Sequence, residues 1–213
     1  MLKVDWNNRD KQIDELLAAG KEKEAAEIID LYFGNSGHSQ QIALLIHADS
    51  FRDERILFDL IVSVYTNDGY DFPKRLIQKA KKLSKGIPEE HRLKGLPEGN
   101  PVTVWRGSSV RLPDCGSYLR SSISWTTDKT CAIWFANRIG LLSPTGLKGK
   151  VWQATIERDK IIAFTQSRSE SEVLQHMNVQ NITMLDIQDD EWENALKIQE
   201  EGKKRIEQEL FNN

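Results

Sequence analysis

Two glutamates stand directly before a short apolar segment, in the stretch Glu170-Ser-Glu172-Val-Leu174. The apolar pair is typical of a β-strand, and alternate side chains of a strand point to the same face. We therefore expect Glu170 and Glu172 to face one spot. Paired carboxylates suit chemistry at a sugar carbon, where one stabilises developing positive charge and the other handles a proton. A solvated strand edge is the alternative that the pair alone leaves open.

An arginine and a glycine end the first alternating segment of the second half of the chain, Val102-Thr-Val-Trp-Arg106-Gly107. Period 2 puts Arg106 in line with the apolar residues Val102 and Val104, where a charge requires a partner. The partner is either an internal carboxylate such as Glu172 or a phosphate or carboxylate of a ligand. Gly107 allows the backbone to approach a ligand closely.

The stretch Ser124-Trp125-Thr126 stands where a strand should lead into a helix. Ser124 offers a hydroxyl that can orient a carboxylate or a ribose. Trp125 offers a flat face for an aromatic ring, although packing in the core is its other interpretation. We expect the strand to cover 121–124 and the helix to be capped by Thr127 or Asp128.

These residues must be positioned by two different regions. The first 95 residues show apolar positions at helical spacing, and Gly86, Pro88, Gly95, Pro97, Gly99 and Pro101 then mark a linker. Short alternating segments follow, interrupted by one helix near 128–139 and closed by a charged helix from about 189 to 210. The sequence predicts an α+β protein with a helical region at 1–95 and a second domain at 96–213.

Three motifs occur in a fixed order: Trp-Arg-Gly at 105–107, Ser-x-Thr at 124–126 leading into the helix at 132–136, and Glu-x-Glu-Val-Leu at 170–174. This order resembles the mono-ADP-ribosyltransferases of the Arg–Ser–Glu class, which includes cholera-toxin-like and clostridial binary-toxin-like enzymes. The resemblance covers roughly residues 101–187. It implies a split β-sandwich fold and NAD as the substrate that donates ADP-ribose, with no metal.

The resemblance also implies a role for each matching residue. Arg106 would brace the ribose and phosphate of NAD on the nicotinamide side, and the backbone at Gly107 would hold the carboxamide. Ser124 would position the catalytic Glu172, and Glu170 would position or deprotonate the acceptor. Residues 165–169 would form the loop that meets the acceptor.

Two positions depart from the family pattern. Trp125 replaces the middle residue of its Ser-Thr-Ser motif, and Thr126 replaces the last serine while keeping a hydroxyl. We expect both to line the NAD site. A glutamate at position 170 is typical of family members whose acceptor is arginine, so a protein arginine is the first expectation.

Composition limits the alternatives. No apolar run is long enough for a membrane span or for a signal peptide, and the two cysteines form neither a disulfide framework nor a metal spacing. A reduced, cytoplasmic protein without a membrane partner is the simplest expectation. The formal net charge is −3, but residues 74–94 hold eight Lys/Arg against two Glu. Such a stretch can meet phosphates or be the solvated face of a helix.

We therefore expect a bacterial or phage effector or toxin that modifies a macromolecular acceptor. The alternatives are an enzyme of a toxin–antitoxin or defence system that modifies RNA or DNA, and a non-catalytic binding module that has kept the fold. An inhibitor or antitoxin protein is an expected partner in the toxin interpretations.

Overall fold

The computed structural model describes residues 4–5, 7–31, 39–67, 72–108, 116–141, 149–166 and 170–211. The chain divides into two compact units, residues 1–92 and 93–213. Each unit has its own core, and each is described by itself below.

The first unit is helical over the residues that the structure describes. Its helices are α1 (Arg9–Ala18), α2 (Glu22–Asp30), α3 (Ser39–His47), α4 (Glu54–Asn67), α5 (Lys74–Leu83) and α6 (Glu89–Arg92). The apolar residues at helical spacing are buried, as amphipathic helices require. Those of α1, α2 and α4 include Ile13, Leu17, Ala25, Ile28, Ile29, Leu57, Leu60, Ile61 and Val64.

Helix α3 is a helix that the sequence pattern did not predict. Its polar residues Gln40, Gln41 and His47 are buried, whereas Ile42 and Ile46 are 53% and 61% exposed. The buried polar groups have partners within the unit: His47 Nδ1 lies 3.1 Å from an oxygen of Asp14, and the Gln40 amide donates to the carbonyl of Asp30. An analysis based on apolar periodicity cannot identify a helix whose inner face is partly polar.

The second unit contains a six-stranded antiparallel sheet with helices. Its strands are β1 (Val102–Ser108), β2 (Ser124–Thr126), β3 (Lys150–Ile156), β4 (Ala163–Thr165), β5 (Glu172–Leu174) and β6 (Gln180–Leu185). Their order in the sheet is β4-β5-β2-β1-β3-β6. The helices are α7 (Gly116–Ser121), α8 (Lys129–Leu141) and α9 (Asp189–Phe211). Helices combined with an antiparallel sheet confirm the predicted α+β class.

The sheet consists of two three-stranded halves joined at one place. Seven residue pairs align β1 with β3, but in the described residues a single pair, Trp105 with Thr126, aligns β1 with β2. The strands β4, β5 and β2 thus form one half, and β1, β3 and β6 form the other. The split β-sandwich itself stays a prediction, because the described strands form one open sheet.

Two apolar clusters cover the two sides of this sheet. One cluster contains Val102, Val104, Trp125 and Val173. The other contains Ala132, Ile133 and Ala136 of α8 and Trp192 of α9, with Trp105 packed against it. Helix α8 therefore lies against the face of β1 to which Trp105 points.

The predicted strand at 121–124 was wrong. Ser121 ends helix α7, and the strand begins at Ser124. Four residues of alternating pattern cannot distinguish a strand from a short helix, and the buried Leu119 ties this segment to the core as a helix.

Candidate active site

The three residues expected from the family order lie on three neighbouring strands. Arg106 lies on β1, Ser124 begins β2, and Glu172 begins β5, and β2 runs between the other two strands. The Ser124 hydroxyl donates a hydrogen bond to Oε1 of Glu172. The Ser124 carbonyl accepts a hydrogen bond from Nη1 of Arg106. Ser124 therefore links the guanidinium to the carboxylate, through its main chain on one side and its side chain on the other.

The glutamate lies between hydroxyl-bearing residues of the adjacent strands. Glu172 is paired with Thr126 of β2 and with Thr165 of β4. Residues paired across antiparallel strands point to the same face, with Cβ atoms about 5 Å apart. Ser124 shares that face because it precedes Thr126 by two residues. The Glu172 side chain is half-buried, so its carboxylate has hydroxyl-bearing neighbours and also access to solvent.

One N–H group of the Arg106 guanidinium is not paired by any described residue. Its side chain is half-buried, and its Nε is buried without a hydrogen-bond partner among the described residues. A buried guanidinium N–H without an acceptor is costly, so this position favours an oxygen supplied by a ligand or by water. A phosphate oxygen has the matching charge, and the guanidinium fork has the matching geometry.

The second glutamate lies outside the strand that holds the first. Glu170 precedes β5, which begins at Glu172, so strand alternation does not align the two side chains. Both nevertheless act on the buried thiol of Cys131 in the first turn of α8. The pKa of Cys131 is raised to about 12, first by burial and then by the charges of Glu170, Asp128 and Glu172, while a hydrogen bond with Thr126 opposes the increase. Because both carboxylates act on the same thiol, we expect them to converge near the first turn of α8.

Gly107 has a structural reason to be a glycine. A Cβ at this position would lie 2.2 Å from the carbonyl oxygen of Ala132 and 2.5 Å from the amide nitrogen of Ala136. The missing side chain therefore lets α8 pack directly on β1. We predicted close approach to a ligand, and the structure instead shows close approach of a helix. A role of the Gly107 backbone in binding a carboxamide stays a prediction.

Trp125 does not present its ring to a ligand. It is 1% exposed and packs in the apolar cluster with Val104 and Val173. The expectation that it lines the NAD site was wrong, and core packing, the other interpretation, is correct. Strand alternation explains the result, because Trp125 must point away from the face that Ser124 and Thr126 share.

Thr126 and Asp128 together begin helix α8. The Thr126 hydroxyl accepts a hydrogen bond of 3.0 Å from the Asp128 N–H, and an Asp128 carboxylate oxygen accepts one of 2.8 Å from the Thr130 N–H. This is the side-chain capping that satisfies the first N–H groups of a helix. Thr126 is 8% exposed, so it can support Glu172 from beneath but offers little surface to a ligand.

A buried glutamine directly after β5 anchors the C-terminal end of this strand through hydrogen bonds. Gln175 is fully buried, its amide donates to the carbonyls of Arg120 and Ser122, and its oxygen accepts a 2.7 Å bond from the Asn178 N–H. These bonds tie the chain after β5 to the segment that leads into β2. They hold Ser124 and Glu172 in register from outside the site.

Sequence reasoning missed one position of the site and one electrostatic effect. The apolar helical pattern around Cys131 indicates a core residue, and Cys131 is buried, but nothing in that pattern indicates the effect of Glu170 and Glu172 on its thiol. Thr165 was assigned only to the loop at 165–169, whereas it ends β4 opposite Glu172. Residues 167–169 of that loop lie outside the described residues.

Comparisons with known proteins do not add to this description. No family model matches the chain, and no curated protein and no solved structure matches it. Within the described residues, none of the helices is long and apolar enough to cross a membrane.

Proposed function

We propose that this chain is a mono-ADP-ribosyltransferase that uses NAD as the donor and a macromolecule as the acceptor, with protein arginine as the first candidate. The observation that carries the proposal is the hydrogen-bonded link Arg106–Ser124–Glu172, formed by residues from three strands that are far apart in sequence. Removing these linked charged and hydroxyl groups from water is costly. Their half-buried position suits a site for a polar ligand.

The first step assigned to the site is cleavage of the bond between nicotinamide and ribose. As this bond breaks, the electron pair goes to the nicotinamide nitrogen, which becomes neutral, and positive charge develops at the ribose carbon. Glu172 is placed to stabilise that charge, because Ser124 and the neighbouring strands fix its carboxylate before reaction. Arg106 would hold phosphate oxygens of the dinucleotide through its half-buried guanidinium and thereby fix the ribose.

The second step is formation of a bond from the ribose carbon to the acceptor. The acceptor nitrogen or oxygen attacks with its lone pair and releases one proton. Glu170, two residues before Glu172, would accept that proton or orient the nucleophile. An arginine acceptor needs such a carboxylate because its guanidinium is protonated at neutral pH.

The experiment is to incubate the purified protein with NAD and to measure free nicotinamide, with and without a lysate containing acceptors. We expect Glu172→Gln to abolish both hydrolysis of NAD and transfer. We expect Glu170→Ala to abolish transfer while sparing part of the hydrolysis. Glu157→Gln is a matched control, because Glu157 lies after β3 and belongs to no part of the proposed site.

The outcome also separates the alternatives. Release of nicotinamide by the wild type, lost in Glu172→Gln, supports the transferase. No release under any condition favours a non-catalytic binding module with the same fold. Mass spectrometry of an expressing lysate, searched for added ADP-ribose on protein and on nucleic acid in parallel, identifies the acceptor class. If the protein acts as a toxin of the bacterial or phage type, an inhibitor or antitoxin protein that protects the host cytoplasm is its expected partner.

A further inference from the structure

One segment of the helical unit carries a net positive charge. Residues 74–85 contain six Lys/Arg and no Asp/Glu, whereas the rest of residues 1–92 contains eight Lys/Arg against sixteen Asp/Glu. A surface that serves only solubility mixes positive and negative side chains. The excess of positive charge at 74–85 is therefore a feature of this segment, because the rest of the unit has an excess of negative charge. The segment is helix α5 with the turn that follows it.

Helix α5 presents these cations on one face. Its apolar residues Leu76, Ile77, Ala80 and Leu83 are buried. The opposite side is exposed and bears Lys74, Arg75, Gln78, Lys81, Lys82 and Lys85. At 100° per residue, 74, 78 and 81 fall on one line along the helix, with 75 and 82 beside it, and Lys85 follows in the turn after the helix. We call Lys74, Lys81, Lys82 and Lys85 the lysine face.

Among the described residues, one carboxylate forms ion pairs at the edge of this helix, and it does not reach the lysine face. Asp49 accepts hydrogen bonds from Arg75 and Lys79, and the pKa of Asp49 is lowered, first by the hydrogen bond with Lys79. The four ammonium groups of the lysine face have no hydrogen bond or ion pair in the described part of the chain. They are therefore available to an external anion.

The kind of residue on this face identifies the kind of partner. Protein interfaces are depleted in lysine and centre on aromatic or apolar anchors, and the exposed side of α5 has none. A helix that lies on a membrane must turn its apolar face outward, but that of α5 is buried in the unit. Proteins that hold single strands add aromatic platforms for the bases, which are also missing from this side of α5. What remains is contact with the phosphates of a duplex, for which lysine acts as a point charge.

We propose that the lysine face of α5 binds the phosphate backbone of a double-stranded nucleic acid without reading its sequence. Lys74 and Lys82 are eight residues apart, about 12 Å along a helix. Phosphates of one strand follow each other about every 3.4 Å along a duplex axis, so the face spans three to four of them. This binding does not depend on the transferase activity proposed above, and it would place the protein on nucleic acid whichever acceptor it modifies.

The test measures the affinity of the whole protein for fluorescein-labelled 20-base-pair DNA and RNA duplexes by anisotropy, between 50 and 200 mM salt. Each phosphate contact contributes about 0.9 to the slope of log K against log salt. We therefore expect the variant with Lys74, Lys81, Lys82 and Lys85 all changed to Gln to have a slope smaller by about 3.6. Over this salt range the wild type then loses about 100-fold more affinity than the variant.

The matched control changes four exposed lysines outside α5, Lys11, Lys23, Lys94 and Lys197, to Gln, which alters the net charge equally. We expect this control to keep the wild-type slope to within about one phosphate contact. Changing the four lysines of the face to Arg should also keep it, because the charge remains. The DNA and RNA arms show which duplex is preferred, and binding of either supports the proposal.

Three results would overturn it. One is the absence of duplex binding by the wild type at 50 mM salt. Another is an equal loss of binding in the control, which would show that only net charge matters. The third is displacement of the duplex by polyglutamate at equal charge concentration, which would indicate an acidic protein as the partner.

Discussion

The buried thiol of Cys131 can report the position of the two glutamates. Its pKa is raised from 9.0 to about 12, first by burial and then by the charge of Glu170. Because the thiolate is the reactive form, a shift of this size lowers its population at pH 8 by about 1,000-fold. Changing Glu170 to Gln removes the largest of the charges that oppose ionisation, so the thiol of that variant should ionise more readily.

The assay is alkylation by iodoacetamide at pH 8, followed by mass spectrometry, in a Cys115→Ser background that leaves one thiol. We expect folded Cys131 to react about 1,000-fold or more slowly than the same thiol in urea, because burial also blocks the reagent. Glu170→Gln should accelerate the reaction of the folded protein, and Glu172→Gln should do so to a smaller degree, since its charge is the weakest of the three.

Glu157→Gln is the matched control for the alkylation experiment, because Glu157 does not contribute to the pKa of this thiol. It should leave the rate unchanged. Equal acceleration by Glu157→Gln and Glu170→Gln would mean that the rate reports loosening of the fold. An unchanged rate in Glu170→Gln would place that carboxylate away from α8, and the convergence of the two acids would be refuted.

Three further predictions concern residues that position the site. Ser124→Ala should lower the rate of NAD cleavage by about 100-fold through misplacement of the carboxylate, and Ser124→Thr should restore part of it, as measured by nicotinamide release. Gly107→Ala should lower the free energy of unfolding by about 3 kcal/mol, because its Cβ would collide with backbone atoms of α8. Gly86→Ala should change it by less than about 1 kcal/mol in the same urea titration, since its Cβ would meet atoms only at 3.6 Å and beyond. Gln175→Leu should lower the free energy of unfolding by about 3 kcal/mol, because two carbonyls and one N–H would lose a buried partner. An unchanged unfolding midpoint in urea would contradict this account.

The sequence was sufficient to identify Arg106 and Glu172, the two residues that Ser124 joins, as candidates for the site. Arg106 ends an alternating segment and Glu172 begins another, and both local patterns survive in β1 and β5. Their relative position required the order of the strands, which depends on contacts distant in sequence and was expected only from the family resemblance. The burial of Trp125 was predictable by alternation from Ser124, once the strand was placed at 124–126 instead of 121–124.

Other features left an incomplete signal or none in the sequence. Thr165 lies opposite Glu172 because of the register between β4 and β5, and register is set by pairing and not by either strand alone. Helix α3 buries polar residues whose partners come from α1 and α2, so polar and apolar residues are mixed on its inner face. Gly107 was recognised as a position of close approach, but the sequence does not tell whether a ligand or a helix approaches.

Because a single aligned pair joins β1 and β2 in the described residues, binding of an anion at Arg106 and the spacing between the two halves of the sheet affect each other. Across that seam, the hydrogen bond from Arg106 to the Ser124 carbonyl is a second tie between the two halves of the sheet. An anion that competes for this guanidinium weakens the tie, and by thermodynamic reciprocity a change that widens the seam alters the affinity for the anion by the same factor. Substitutions far from any ligand, along the edges where the two halves meet, are thus a means of tuning binding while every contacting side chain is left intact.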